Sequence, residues 1–511
     1  MDGLPTELVI KVLHLALPPI DLEERASLIG ISKDYLKALF QLQLVSSRWK
    51  EVLDGTPSFW ALVSMEFPDR QNTANLDKSS NYPLTVYGIP SLLDGMDKVE
   101  SCLSFLKLIR TTRPRWRVLW LYLMLQEALS HFLTEPAPIL ETIHLVSLPV
   151  IADNREVFTL FGHHVSTLRS VHLMNIAFYP SPSAFHNIIS FHLLYTRGNE
   201  VPVEWVMEVL RGSPQMESLR LVEMDLQVPT FSTPVEVINL AHLKSLRITG
   251  ISRSAIDYIF RRIDVPNCIQ FELGYYGQDY DGSLILDRVL SSFEPMIQNL
   301  VHKMPNSSLH MKSNNVFWGE FPWLEPGSRI KPYVSVNIGA ASFLAIIRWV
   351  ERVVDPTSSD RSLGPNALAG ELCITNTTPL ADTEIVSRLK RLKSITAIST
   401  ESSADVGQLL QLLGEAGPEP SFPSLRQLYL HAHRWQAPQL LEMVRARLSR
   451  LPQPVPHLSI VIEEETYPAL ADPGNTVVFD PDTLHEIRAL NGLSLEFAGR
   501  EDGWESRVVR T

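Results

Sequence analysis

The hydrophobic pattern changes character once along this chain. Near the start, apolar residues recur at helical spacing. Leu8, Val12 and Leu15 stand at i, i+4 and i+7, with Val9, Leu13 and Ala16 beside them and Lys11 and His14 off the stripe. This predicts a helix that opens at Pro5, whose missing N–H costs nothing in a first turn, carries Glu7 at the positive end of its dipole, and stops at Pro18-Pro19. A second phrase, "LQLVSSRWKEVLDGTPSFW", places Val45, Trp49 and Val52 on one helix face, flanked by Leu44 and Leu53. Asp54-Gly55 and Pro57 are its stop signals. After Trp60 the stretch "PDRQNTANLDKSSNYP" is polar and rich in breakers, which predicts a linker over 67–82.

Beyond that stretch the chain repeats a different cadence, apolar-x-x-apolar-x-apolar. It reads Trp116/Leu119/Leu121, Leu140/Ile143/Leu145, Leu168/Val171/Leu173, Ile188/Phe191/Leu193, Met216/Leu219/Leu221, Leu243/Leu246/Ile248 and Cys268/Phe271/Leu273. It returns as Ala369/Leu372/Ile374, Leu392/Ile395/Ala397, Leu425/Leu428/Leu430 and Val455/Leu458/Ile460, with most copies 20 to 33 residues apart. The last two apolar positions alternate at strand period, so each copy predicts a short strand. Helical stretches such as "VEWVMEVL", "SAIDYIFRRI", "ASFLAIIRWVERVV" and "QLLEMVRARL" lie between copies. Strand and helix in turn at this period predict parallel strands with crossover helices. They resemble leucine-rich repeats, although the asparagine ladder of that family is absent and residues 274–368 resist registration. An ordinary α/β domain on a parallel sheet stays open beside the solenoid.

In such strands the residue between the last two apolar positions faces outward. Copy by copy it is Trp120, His144, His172, His192, Arg220, Arg247 and Glu272, then Tyr429 and Ser459. Stacked in register, neighbours would stand ~4.8 Å apart. The column is expected to be a target-binding strip of Trp120, His144, His172, His192, Arg220, Arg247 and Tyr429, since aromatic residues and arginine dominate protein hot spots. A merely solvated strand face would also carry polar residues there.

The N-terminal phrases resemble an F-box of the F-box-like kind found in fungal proteins: Leu4-Pro5-x-Glu7-Leu8, Val12-Leu13, Leu44-Val45-Ser46-x-x-Trp49 and Pro57-x-x-Trp60. The segment from Ile20 to Leu39 separates the two phrases by more than a compact F-box allows. The resemblance implies a small helical bundle over 1–66 that docks on a Skp-family adaptor, and through it on a cullin. Leu4, Pro5, Leu8, Val9, Leu13, Leu44, Val45 and Trp49 are its expected adaptor contacts. A bundle this small cannot bury all its apolar stripe alone. The expected fold is therefore α/β: a small N-terminal helical F-box bundle, then an irregular leucine-rich-repeat-like solenoid with parallel strands and outer helices over 83–500, and a tail over 501–511. The expected role is substrate recognition in an SCF-type cullin–RING ubiquitin ligase. A repeat scaffold without ligase role is the first alternative, and an α/β hydrolase or transferase the second.

Composition narrows this little further. The 511 residues are 45% apolar and 20% charged, with a net charge of −12, which disfavours a nucleic-acid partner. Cys102, Cys268 and Cys373 form neither a disulfide framework nor a zinc pattern, which fits a cytoplasmic or nuclear location. No basic leader and no bilayer-length apolar run is expected; "VLWLYLML" is too short. Neither P-loop, G-x-G-x-x-G, G-x-S-x-G nor H-E-x-x-H occurs. His163-His164, His431/His433 and the Asp279/Asp281 loop lack the spacing of a metal site. The reading is of a protein without catalytic residues, cofactor or metal.

Overall fold

The structure, a computed structural model, describes residues 4–18, 30–88, 98–123, 132–147, 160–163, 167–176, 185–195, 201–229 and 236–274. Further along it describes 308–312, 315–319, 333–337, 370–375, 395–400, 403–414, 425–432, 437–449, 458–464 and 493–498, with 384, 387 and 422 singly. The chain divides into two compact units, residues 1–268 with 325–328, and residues 269–324 with 329–511. The expected helix over "ASFLAIIRWVERVV", the loop with Asp279 and Asp281, and the tail 501–511 lie outside the described residues.

The first unit opens with α1 (Thr6–Ala16), α2 (Ile31–Gln43), α3 (Ser47–Gly55) and a 3₁₀ turn over Pro57–Trp60. β1 (Leu62–Ser64), α4 (Asp69–Lys78), β2 (Leu84–Gly88) and α5 (Lys98–Ile109) follow. Next come β3 (Trp116–Leu123), β4 (Thr142–Ser147), β5 (Ser170–Met174), β6 (Ser190–Leu194), β7 (Val201–Pro202) and α6 (Val203–Arg211). β8 (Ser218–Val222), β9 (Leu226–Gln227), β10 (Ile238–Asn239), β11 (Ser245–Thr249), α7 (Arg253–Phe260) and β12 (Ile263–Asp264) complete it.

One parallel sheet runs through the unit in the order β1-β2-β3-β4-β5-β6-β8-β11. Its inner face is the cadence read from the sequence. Leu119 and Leu121 align with Ile143 and Leu145, then Val171 and Leu173, Phe191 and Leu193, Leu219 and Leu221, and Leu246 and Ile248, all buried. The first apolar residue of a copy closes a tight turn: the Leu140, Met216, Leu243 and Cys268 amides each donate to the carbonyl three residues back. The amphipathic helix α6 buries Val203, Trp205, Val206, Met207, Val209 and Leu210, and α7 buries Ala255, Ile256 and Ile259. Short parallel pairs, β7 with β9 and β10 with β12, accompany these crossovers.

A device absent from the sequence reading ends the strands. Asn175, Tyr195 and Glu223, each just past its strand, sit in the left-handed region at φ 57°, 57° and 51°, and Gly250 does so at 65°. Their turned amides extend the ladder: Asn175 N donates to Leu194 O, Tyr195 N to Val222 O and Glu223 N to Thr249 O, at 2.7 to 2.8 Å. Asn175 adds a side-chain bond, Nδ2 to Ser147 O at 3.0 Å. Left-handed backbone costs a non-glycine residue about 1–2 kcal/mol, most for β-branched side chains. Tyr195→Gly is therefore expected to be more stable than Tyr195→Val by about 1–2 kcal/mol in urea unfolding; equal stabilities would contradict the strained turn.

Residues 67–82, expected as a linker, carry α4 and belong to the packing of the first unit. The polarity that suggested a loop serves the edge of the sheet. β1 pairs with β2 on one side, using Ala61 O and Met65 N. Leu62 and Ser64 turn their backbone groups the other way, and there α4 supplies buried amides. Asn72 Oδ1 accepts from Ser64 N at 3.0 Å while its Nδ2 donates to Ser64 O at 2.8 Å, and Asn75 Nδ2 donates to Leu62 O at 2.9 Å. Two asparagines stand where a further strand would pair.

The second unit contains β13 (Gln270–Gly274), β14 (Ser308–Lys312), β15 (Asn315–Gly319), β16 (Tyr333–Asn337), β17 (Gly370–Thr375) and β18 (Ile395–Thr400). α8 (Ser403–Gly414), β19 (Gln427–Ala432), α9 (Ala437–Leu448), β20 (Leu458–Glu464) and β21 (Leu493–Ala498) follow. Its strands pair as β13-β16-β15-β14-β17-β18-β19-β20-β21, with β15 antiparallel to both neighbours and every other pairing parallel. This reversal departs from the all-parallel expectation, and it falls within the stretch 274–368 that carries no regular cadence. Two registers also differ. Ile398, not Ile395, aligns with Leu428, an odd slip that exchanges the two faces; Leu428 aligns with Ile460, an even slip that keeps them. The protein is thus α/β with extensive parallel pairing. Among the described residues no helix is long and apolar enough to cross a membrane.

Candidate protein-interaction site

α1 is apolar on two flanks, and the structure separates them. Pro5 is the N-cap rather than the first helical residue; its carbonyl accepts from the Leu8 and Val9 amides at 3.1 Å. Val9, Leu13 and Leu17, at i, i+4 and i+8, face inward. They share a core with Tyr35 and Leu39 of α2, Leu53 of α3, Phe59, Trp60, Leu62 and Phe67, and with Tyr87 and Trp120 of the sheet. Leu8, Val12 and Leu15 face outward, Leu15 at 87% exposure.

The neighbouring helices are fixed by polar caps. The Glu66 carboxylate accepts from Gly30 N at 3.0 Å and from the Ser32 hydroxyl, holding the start of α2 against β1. Ser46 caps α3, its Oγ accepting from Trp49 N at 3.1 Å, and Trp60 Nε1 donates to Leu53 O at 2.8 Å. Lys78 lies 3.7 Å over the Trp60 ring and pairs with Asp54 at 2.8 Å. Leu44 and Val45 lie in the turn between α2 and α3 rather than on a helix, and both are exposed, Leu44 at 86%. Arg48, just beyond them, donates to Leu4 O and ties this turn to the start of α1.

The expected adaptor contacts therefore divide. Pro5, Leu8, Leu44 and Val45 are exposed, and Leu4 and Trp49 are half-buried. Val9 and Leu13 are buried in the protein's own core and meet no partner. Val12, Leu15 and Phe40 join the exposed set, a membership only burial reveals. Of the ten large apolar side chains exposed among the described residues, six fall between Leu8 and Val45. Concentrated apolar exposure is a feature that docking surfaces share.

His14 borders this face. It stacks on Phe59 at 4.2 Å and its Nε2 lies 3.0 Å from Ser58 Oγ. Burial holds its pKa below the ordinary value. The unfolded chain binds the proton more readily, so the neutral ring's contribution is complete above the unfolded pKa, about 6.5, and is lost as pH falls below it. Between neutral pH and mild acid, wild type is expected to lose more thermal stability than His14→Gln, followed by circular dichroism; parallel pH profiles would contradict this.

The outward column of the sheet is in register, as expected. Trp120 pairs with His144, His144 with His172, His172 with His192, His192 with Arg220, and Arg220 with Arg247. Trp120 stacks on His144 at 3.7 Å, His144 on His172 at 3.9 Å, and His172 meets His192 edge-on at 5.4 Å. His192 Nε2 lies between Ser190 Oγ at 3.2 Å and Ser218 Oγ at 2.9 Å. Exposure divides the column as it divides α1. Trp120, His144 and His172 are buried and cannot anchor a target, Trp120 because the N-terminal helices pack on it. His192, Arg220 and Arg247 are half-buried; Tyr429 is also half-buried, in the second unit.

Among the described residues no group of three or more His, Cys, Asp or Glu is arranged to hold a metal ion. No model of a known protein family and no curated protein matches this sequence.

Proposed function

We propose that the protein is a substrate-recognition subunit of an SCF-type cullin–RING ubiquitin ligase. The N-terminal helices act as an F-box that binds a Skp-family adaptor, and the strand repeats act as a leucine-rich-repeat-like solenoid that holds a target. The observation that carries this reading is the exposure of the apolar side chains Leu8, Val12, Leu15, Phe40, Leu44 and Val45 on the segment that resembles an F-box. The buried half of the same segment supports it, because Val9, Leu13, Leu17, Leu53 and Trp60 form a core that holds the outer residues in place without consuming them. The protein itself performs no covalent step; it raises the local concentration of target at the transfer site.

Co-expression with a Skp-family adaptor is expected to yield an equimolar complex on purification. Recovery of the chain without adaptor would favour the alternative, a repeat scaffold with no ligase role.

A further inference from the structure

We infer that Arg48 is a positioning residue of the docking surface. By donating to Leu4 O it holds the turn that carries Leu44 and Val45 against the start of α1, where Leu8 stands, so that exposed side chains from two separate segments present one surface. This deepens the proposed function and rests on it for the identity of the partner, not for the tie itself.

The exposed apolar residues come from parts of the chain that no single helix holds together. Leu8 lies in the first turn of α1, whereas Leu44 and Val45 follow the end of α2, with Phe40 one turn before Leu44. Each part is fixed within itself. The Leu8 and Val9 amides both donate to Pro5 O, and the Leu44 and Val45 amides donate to Gln41 O and Leu42 O. Those bonds do not set one part relative to the other. The core does so further along, where Val9 and Leu13 share it with Leu53, near the far end of α3. Arg48 acts at the opposite end. It is the second residue of α3, just past Val45, and its acceptor Leu4 directly precedes the N-cap of α1. A charged donor on a carbonyl makes a stronger bond than a neutral one, and the half-burial of Arg48 shields it from water. The backbone from which Arg48 reaches is itself fixed, by the Ser46 cap on Trp49 N and by Trp49 packed against the core. A surface assembled before its partner arrives loses less conformational freedom on docking.

The test compares Arg48→Met, which keeps an apolar stem and removes the donor, with Arg48→Lys, which restores one, both in the full chain. Hydrogen-exchange mass spectrometry reads the tie without any adaptor. In Arg48→Met the start of α1, with the Leu8 and Val9 amides, is expected to exchange about tenfold faster than in wild type. The Leu17 amide at the other end of α1, bonded to Leu13 O, should exchange as before. Near-ultraviolet dichroism should also stay that of wild type, because Val9, Leu13, Leu53 and Trp60 keep their core. Calorimetric titration of a Skp-family adaptor is expected to give about tenfold weaker binding to Arg48→Met, with most of the affinity recovered in Arg48→Lys. Unchanged exchange at the start of α1, full adaptor affinity in Arg48→Met, or a loss that Arg48→Lys does not recover would overturn the inference. A wild-type chain that takes up no adaptor, while Arg48→Met still speeds exchange at the start of α1, would sink the adaptor reading and support the tie.

Discussion

Leu8→Asp combined with Leu44→Asp is expected to abolish capture of a Skp-family adaptor while leaving the fold intact. Both side chains are exposed, and Leu8 lies in the first turn of α1, where an aspartate favours the helix dipole. Unfolding free energy should therefore stay within about 0.5 kcal/mol of wild type for each change. At a docked interface the same carboxylates would be desolvated against apolar atoms. The loss there is about 3 kcal/mol or more, roughly a hundredfold in Kd. Leu13→Asp provides the internal contrast. Leu13 is fully buried one residue beyond the exposed Val12, and a charge at that depth has no partner among Tyr35, Leu39, Leu53 and Trp60. That variant should unfold the N-terminal helices, seen as lost near-ultraviolet dichroism. If Leu8→Asp/Leu44→Asp unfolds the chain instead, the two flanks of α1 have been assigned the wrong way round.

The second large effect belongs to the sheet edge. Asn72→Leu is expected to lower stability by about 2–4 kcal/mol in urea unfolding, although it replaces a polar residue by a larger apolar one in a buried site. Asn72 is fully buried, and its amide satisfies both Ser64 N and Ser64 O, with a further bond to Phe67 O at 3.3 Å. Leucine leaves the two Ser64 groups buried and unbonded, at about 1–3 kcal/mol each. A composition-based view of 67–82 as linker predicts the opposite, little change or a gain. Stability within about 0.5 kcal/mol of wild type would show that the edge needs no cap.

The sequence revealed parts of the molecule unequally, for physical reasons. Strand positions between Trp116 and Leu273 were legible because the inner face of a parallel sheet tolerates only apolar residues, and copies such as Leu219/Leu221 and Leu246/Ile248 repeat that demand at fixed spacing. The two flanks of α1 were not separable, because Val9, Leu13 and Leu17 are no more apolar than Leu8, Val12 and Leu15; only the positions of α2, α3 and Trp60 decide which are covered. α4 was hidden by the asparagines that bond β1. Strand alternation identifies the outward column and its register but not its exposure, because Trp120 is buried in one core with the N-terminal helices. In the second unit the antiparallel β15 breaks the parallel order, and Ile398 takes the place read for Ile395.

The outer flank of α1 as a docking face for a foreign subunit is tested most directly by calorimetric titration of a purified Skp-family adaptor into the full chain at two temperatures. The expected result is one adaptor per chain with a negative heat-capacity change, the mark of apolar burial, and no heat with Leu8→Asp/Leu44→Asp. Absence of binding at tens of micromolar, or binding unaffected by those substitutions, would contradict it.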